Sequence, residues 1–203
     1  MANQDTAYWL GVMYSDGYIS KHNYTNSFGL TVKESDKDLL EKFKEFLEYS
    51  GNINYYTFKS SYGTCLAGRL LIGNNKIVED LIAAGVVEHK TLKINKIPEV
   101  KYKDDFIRGY IDGDGSLRKK FPNLKICGNK DFLLDIANYL DLPYNIFSDK
   151  SIYNLSYNLK ESEYLEKRLY KDAKYYLDRK YNIAKRSFNS PLTLKDVKEN
   201  VLN

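Results

Sequence analysis

Apolar positions recur along this chain of 203 residues in two alternating patterns, and both halves show the patterns in the same order. Spacings of three and four residues predict helices, while alternation of apolar and polar residues predicts strands. In the first half the predicted elements are a helix over 6–15, strands over 18–21 and 26–33, a helix over 37–49, strands over 53–59 and 64–72, and a helix over 76–84. In the second half they are a helix over 105–113, strands over 116–119 and 123–127, a helix over 130–140, strands over 144–148 and 152–159, and a long helix over 162–181. We therefore expect an α+β fold of two αββαββα units with antiparallel sheets, followed by a short helix from Thr193.

The similarity between the halves extends to individual residues. The segment Trp9–Gly17 resembles Ile107–Gly115. Three identities recur at a spacing of 98 residues, and they are Gly11 with Gly109, Asp16 with Asp114, and Gly17 with Gly115. Later matches are 94 and then 90 residues apart, as a duplication with shortened loops would produce. The chain is therefore predicted to hold two domains, 1–97 and 98–203, that join near Pro98.

Small residues occupy matching positions on the first helix of each unit. Gly11 and Ser15 lie four residues apart, and Gly109 and Gly113 repeat this spacing. Residues four apart share one helix face, and small side chains on that face let two helix backbones approach closely. We predict that the two helices pack against each other through these four residues and so join the two units.

An acidic residue follows or ends each of these helices. Asp16 and Asp114 precede Gly17 and Gly115, and we expect both glycines to adopt the left-handed conformation that closes many helices. A carboxylate at a helix C-terminus is electrostatically unfavourable, and two such groups near each other repel. A hard divalent cation between them would relieve both effects. For a single copy the alternative is an ordinary Asp-Gly turn after a helix.

Composition excludes several classes of protein and leaves the partner open. Two Cys and two His are too few for a disulfide framework or a structural zinc site. No apolar run approaches the roughly 20 residues of a membrane helix, and Met1–Asp5 does not resemble a signal peptide, so we expect an intracellular protein without a membrane partner. The net charge of +4 equals that of residues 160–186 alone, where nine basic residues oppose five acidic ones. This segment favours a nucleic-acid partner no more than it favours a solvated helix face.

Both nine-residue segments resemble the LAGLIDADG motif of the homing endonucleases, and their two-copy arrangement resembles the single-chain members of that family. The second copy, within Phe106–Ser116, is the better match. The first carries Tyr14 where the family often has an acid that is not the metal ligand. The resemblance implies two antiparallel sheets that form a saddle over double-stranded DNA, with the motif helices at the interface. It further implies a monomeric endonuclease that makes a staggered double-strand break, with short 3′ overhangs, at a long target site.

The resemblance also assigns the functional residues. The metal would be Mg²⁺ or Mn²⁺, whereas Ca²⁺ would bind without supporting cleavage. The implied metal ligands are Asp16, Asp114 and the backbone of Gly17 and Gly115. The implied catalytic lysines, which would polarise the solvent or the phosphate, are Lys90 and Lys180. Contacts to DNA are expected from outward-pointing residues of the strands, namely Tyr18, Ser20, Lys21, Thr31, Lys33, Tyr56, Lys59, Arg69, Arg118, Lys120, Lys125, Tyr153, Ser156 and Asn158.

Other functions remain open for such a fold. An RNA maturase, or a DNA-binding protein without nuclease activity, can keep the fold and lose either acid. The presence of both Asp16 and Asp114 therefore favours cleavage. The nuclease portion of an intein is a further alternative, which we do not expect because the chain lacks the initial Cys or Ser and the terminal His-Asn that splicing requires.

Overall fold

The computed structural model describes residues 3–21, 24–60, 63–87 and 94–198. In the first repeat the elements are α1 (Gln4–Ser15), β1 (Gly17–Ser20), β2 (Ser27–Lys33), α2 (Lys37–Phe46), β3 (Asn54–Ser60), β4 (Gly63–Gly73) and α3 (Asn75–Ala83). In the second they are α4 (Lys103–Asp114), β5 (Gly115–Leu117), β6 (Leu124–Gly128), α5 (Lys130–Leu140), β7 (Asn145–Asp149), β8 (Ile152–Ser156), α6 (Leu159–Tyr170), α7 (Asp178–Ala184) and α8 (Leu194–Lys198). The predicted α+β fold of two repeats is confirmed, whereas the domain boundary after residue 97 stays a prediction. Within the described ranges, no helix is both long enough and apolar enough to cross a membrane.

The two sheets have the same topology. Their strands are ordered β1-β2-β4-β3 and β5-β6-β8-β7, and all neighbouring strands are antiparallel. Side chains of directly paired residues point to the same face of a sheet, and successive residues point to opposite faces. One face of each sheet is buried in the core, through residues such as Phe28 and Leu70 in the first sheet and Ile126 and Leu155 in the second. The other face of each sheet, which we call the open face, is the candidate for binding a partner.

The long helix predicted over 162–181 is wrong, because residues 171–177 separate α6 from α7. The buried side chain of Arg108 reaches this region from α4. Its Nε donates to the carbonyl oxygen of Tyr175 at 3.0 Å, and a terminal nitrogen of the guanidinium donates to the carbonyl oxygen of Leu169 at 3.0 Å. These tertiary hydrogen bonds take up backbone acceptors that a continuing helix would pair internally.

The motif helices α1 and α4 pack directly against each other, backbone to backbone. A Cβ atom added at Gly11 would lie 2.0 Å from the carbonyl oxygen of Phe106, and one added at Gly109 would lie 2.0 Å from the carbonyl oxygen of Tyr8. Tyr8 and Phe106 are themselves equivalent positions, 98 residues apart. The two contacts are therefore reciprocal, and neither leaves room for a side chain.

Replacing either of these glycines by alanine is expected to destabilise the protein strongly. In an isolated helix Gly→Ala is favourable by up to about 1 kcal/mol. Here the added methyl group would meet a backbone carbonyl that cannot rotate away, and such overpacking costs about 3 kcal/mol or more. Urea unfolding of Gly11→Ala and Gly109→Ala measures the change. Gly73→Ala is the matched control, since its Cβ would meet only the end of the Thr25 side chain, at 3.1 Å. Variants of Gly11 or Gly109 as stable as the control would contradict the backbone contact.

Candidate active site and nucleic-acid interface

The packing of the motif helices brings their two acidic residues to the same end of the helix pair. Asp16 caps the end of α1, where its backbone N–H donates to Val12 at 3.0 Å, and Asp114 is the last residue of α4. A Cβ atom at Gly113 would lie 3.2 Å from the carboxyl carbon of Asp16 and 2.0 Å from Oγ of Ser15. The absence of a side chain at Gly113 therefore lets the Asp16 carboxylate approach the end of α4.

The left-handed conformation expected for the two glycines after the acids is wrong. Gly115 has φ −99° and ψ 165°, and Gly17 is not among the glycines with positive φ. Both positions instead require close approach to the last turn of their helix. A Cβ atom at Gly17 would lie 2.6 Å from Cα of Met13, and one at Gly115 would lie 2.6 Å from the carbonyl oxygen of Ile111. Each glycine lets the chain leave its helix directly into the first strand of a sheet.

A cavity of about 160 Å³ opens beside Asp114. Its wall includes Tyr110, whose hydroxyl donates to the carbonyl oxygen of Cys127 at 3.0 Å. Burial, followed by the negative charge of Asp114, raises the pKa of Tyr110 well above its usual value, so this residue is a neutral hydroxyl at the site. The sequence analysis missed Tyr110, although its position four residues before Asp114 places both on one face of α4.

Lys180 lies next to this site, but it is not exposed to solvent. Only 1% of its surface is accessible, and its ammonium group donates to three carbonyl oxygens at the end of α4. These acceptors are Ile111 at 2.5 Å, Asp112 at 2.8 Å and Gly115 at 2.7 Å. Burial lowers the pKa of Lys180 to about 8, and the nearby Asp112 carboxylate opposes this shift. The lysine therefore caps the C-terminus of the second motif helix, where a cation is favoured. Lys90, its predicted counterpart, lies outside the described residues, so its role stays a prediction.

The donor groups at the helix ends fit a divalent metal ion in part. Two carboxylates are the hard oxygen ligands that Mg²⁺ prefers, and Mg²⁺ commonly takes its remaining ligands from water and substrate phosphates. Among the residues that the structure describes, no cluster of three or more His, Cys, Asp or Glu side chains is placed to hold a metal. The carbonyl oxygen of Gly115 already accepts from the Lys180 ammonium, and a metal on the same oxygen would face that charge closely. The metal ligands that remain supported are thus Asp16 and Asp114, with the backbone of Gly17 as a further prediction.

Six predicted DNA contacts of the first repeat lie on the open face of their sheet. The strand register aligns Tyr18 with Gly29 and Leu71, and it aligns Thr31 with Arg69 and Asn54. The six open-face residues are Tyr18, Ser20, Thr31, Lys33, Tyr56 and Arg69. On this face Nε of Arg69 donates to the Tyr18 hydroxyl oxygen at 2.6 Å, and the guanidinium lies 5.2 Å from the centre of the Tyr18 ring. A cation and an aromatic ring thus lie together where a nucleic acid would contact the sheet.

The open face of the second sheet carries fewer of the predicted contacts. Lys125 pairs with Ser156, and Ser156 pairs with Asn145 on the next strand, so the three side chains form a row on this face. The Lys125 ammonium lies 5.1 Å from the centre of the exposed Phe147 ring, which also belongs to the open face. Both sheets therefore present cationic, polar and aromatic side chains, the combination that binds phosphates and base edges.

Two predicted DNA contacts are on the wrong face. Lys59 is three residues from Tyr56 on β3, so the alternation of a strand puts them on opposite faces. Tyr153 is two residues from the fully buried Leu155 on β8 and packs against the core. The sequence analysis placed residues three apart on one strand face, which a strand cannot do.

Four other predicted contacts lie outside the strands. Lys21 follows β1, Arg118 and Lys120 follow β5, and Asn158 precedes α6 as its N-terminal cap. The strand predicted over 152–159 is therefore too long, because the chain turns into α6 after Ser156. The loop after β5 is held in place by Arg186, which donates to the carbonyl oxygen of Arg118 at 2.6 Å. Asn54 and Asn145, which the sequence analysis missed, share open-face rows with Arg69 and Lys125.

Comparison with known proteins adds to this geometry. Residues 3–83, which span α1 to α3, match the family model of the LAGLIDADG-like domain. The homing endonuclease I-WcaI bound to its DNA recognition sequence superposes with a TM-score of 0.60 at 15% identity, over 82% of this chain and 80% of that chain. The I-SmaMI LAGLIDADG homing endonuclease bound to cleaved DNA superposes with a TM-score of 0.58 at 14% identity, over 98% and 94% of the two chains. The chain has the LAGLIDADG homing-endonuclease fold. The resemblance indicated by the two motifs is thereby confirmed.

Two further relatives with weaker or partial similarity complete the comparison. I-DmoI in complex with DNA and Ca shares the LAGLIDADG fold with a TM-score of 0.52 at 17% identity, over 82% of this chain and 88% of that chain. The DNA-directed RNA polymerase subunit Rpo1C of Methanocaldococcus jannaschii is 25% identical over 150 residues, which are 72% of this chain. The chain spans only 16% of the length of that subunit, so the similarity concerns one stretch of it.

Proposed function

We propose that this protein is a monomeric, site-specific endonuclease that cleaves both strands of intracellular DNA at a long target site. The observation that carries the proposal is the convergence of Asp16 and Asp114 at one end of the paired motif helices, where each helix leads directly into a sheet with an open face. The relatives bound to their recognition sequence or to cleaved DNA have the same fold. The open faces would bind the DNA as a saddle and hold it against the two carboxylates.

The proposed reaction is hydrolysis of one phosphodiester on each strand. A water oxygen bonds to phosphorus, the bond from phosphorus to the 3′ oxygen breaks, and the products are a 5′ phosphate and a 3′ hydroxyl. Asp16 and Asp114 would hold Mg²⁺ or Mn²⁺, which when bound supplies positive charge to the transition state and the leaving oxygen. Ca²⁺ would occupy the same carboxylates without supporting cleavage. We expect the two cuts to be staggered across the minor groove, leaving short 3′ overhangs.

Selection from a randomised library of DNA targets tests this function. The purified protein is incubated with the library and Mg²⁺, and the cut ends are sequenced. We expect one long sequence to be enriched, with cuts on both strands at a fixed stagger. A parallel library with EDTA measures the dependence on metal. Enrichment by binding without cut ends under any metal would support the alternative of a DNA-binding protein without nuclease activity and contradict the proposed one.

A further inference from the structure

The carboxylate of Asp112 is the centre of a buried hydrogen-bond cluster two residues before Asp114. Asp112 is 1% exposed and accepts three hydrogen bonds from three different elements. The Tyr170 hydroxyl donates to Oδ1 at 2.7 Å, and the Tyr8 hydroxyl and the backbone N–H of Leu177 each donate to Oδ2 at 2.8 Å. The residue is too deeply buried to touch DNA, so its function must be carried out through its neighbours.

The bond to Leu177 connects Asp112 to the helix that carries Lys180. Leu177 is the residue immediately before α7, so Asp112 fixes the point where that helix begins. One turn later, Lys180 donates to the carbonyl oxygens of Ile111, Asp112 and Gly115. The Ile111 oxygen also accepts from the Gly115 backbone N–H, which closes the last turn of α4. The chain thus leaves α4, returns through α7, and clamps the end of α4 on both sides of Asp114.

The first repeat has a different arrangement at the equivalent position. Tyr14 occupies the place of Asp112, 98 residues earlier, and its hydroxyl donates to the carbonyl oxygen of Ala84 at 2.7 Å. Ala84 caps the end of α3, so Tyr14 secures a helix end through one neutral hydrogen bond. Asp112 instead gathers three donors around one carboxylate. The two acids of the candidate active site therefore stand on differently built supports.

We propose that Asp112 is a positioning residue for the half of the active site that contains Asp114, and that it acts through α7 and Lys180 on the end of α4. This inference rests on the proposed endonuclease function for its effect on cleavage, but its structural part stands independently of it. Loss of Asp112 should loosen the last turn of α4 and slow cutting of one DNA strand more than the other.

Three substitutions separate the steps of this argument. Asp112→Ala removes the acceptor and leaves three buried donors without a partner. Asp112→Asn is the conservative variant, because its oxygen can still accept from Leu177 and Tyr8 while its amide donates to Tyr170, whose hydroxyl turns to accept. Lys180→Met keeps the Asp112 cluster and removes only the ammonium. Tyr14→Phe is the matched control in the first repeat.

The first measurement is hydrogen exchange of the Gly115 amide in the metal-free protein. We expect Asp112→Ala and Lys180→Met to raise its exchange rate at least tenfold, Asp112→Asn to change it little, and Tyr14→Phe to leave it as in the unsubstituted protein. If Asp112→Ala does not fold, the combination Asp112→Leu, Tyr8→Phe and Tyr170→Phe replaces the cluster by apolar groups and leaves only the Leu177 amide without its acceptor. Unchanged protection of Gly115, or a rise shared equally by amides in both sheets, would overturn the proposal.

The second measurement follows each strand of a cleavable target separately. We expect Asp112→Ala and Lys180→Met to slow the same strand at least tenfold more than the other, so that nicked plasmid accumulates. Tyr14→Phe should not produce this bias. Equal slowing of both strands is what simple destabilisation would give, and it would overturn the positioning role. If the unsubstituted protein cuts no DNA, the proposed function fails, and hydrogen exchange alone decides this inference.

Discussion

Replacing Asp16 or Asp114 by asparagine is expected to abolish double-strand cleavage while DNA binding changes by no more than a few-fold. Both residues lie at the joined ends of the motif helices, and asparagine keeps their shape while removing the negative charge that would hold a divalent cation. A cation in such a site supplies several kcal/mol of transition-state stabilisation. A loss of about 4 kcal/mol corresponds to a ~10³-fold lower rate.

Single-turnover cleavage of a plasmid that carries the selected target measures this effect, with binding followed separately by fluorescence anisotropy in Ca²⁺. Asp172→Asn is the matched control, since it makes the same chemical change at an exposed residue between α6 and α7. Full double-strand cleavage by both Asp16→Asn and Asp114→Asn would remove these residues from the catalytic site. An equal loss in the control would instead indicate a general effect of charge.

DNA binding is expected to weaken steeply as salt increases. A protein that neutralises phosphates with Lys and Arg releases condensed counterions from the DNA, and with 6–10 such contacts affinity falls roughly 10³–10⁵-fold between 50 and 200 mM salt. The cations of the two open faces, such as Lys33, Arg69 and Lys125, are placed for contacts of this kind. Titrations of the selected target at several salt concentrations give the slope. A flat dependence would contradict DNA binding by these faces.

The two faces of the first sheet provide a matched pair for the same experiment. Lys33 lies on the open face and Lys59 on the opposite one, and both side chains are exposed. Lys33→Ala is expected to lower the salt slope by about 1 and to weaken binding of all sequences alike, as loss of one phosphate contact does. Lys59→Ala should leave the slope unchanged. The reverse result would assign DNA binding to the other side of the sheet.

The periodicity of the sequence was sufficient to predict the fold, because the decisive contacts involve residues with few alternatives. Glycine at two matched helix positions leaves backbone packing as the simplest explanation, and the Cβ atoms that would clash at Gly11 and Gly109 show why. The strict alternation of a strand was available too, and applying it would have separated Lys59 from Tyr56. Asn54, two residues before Tyr56, would have been found by the same rule.

The surroundings of the second acid were beyond the reach of the sequence. The helical pattern runs without interruption through residues 171–177, and only the buried side chains of Arg108 and Asp112 explain why the helix stops. Those partners lie more than sixty residues away along the chain, so no local pattern records them. For the same reason Lys180 reads as an ordinary basic residue, although it is buried and caps α4.

The reciprocal contact of α1 and α4 has a consequence for how such a protein can change its target. Because carbonyl groups and glycines fix the distance between the two helices, that distance is independent of the side chains on the open faces. Substitutions on the strands can therefore alter which bases are preferred while the separation of the two cuts stays constant. Divergence of recognition is uncoupled from the geometry of the break, and the ends that a host cell must repair keep one form while the target sequence drifts.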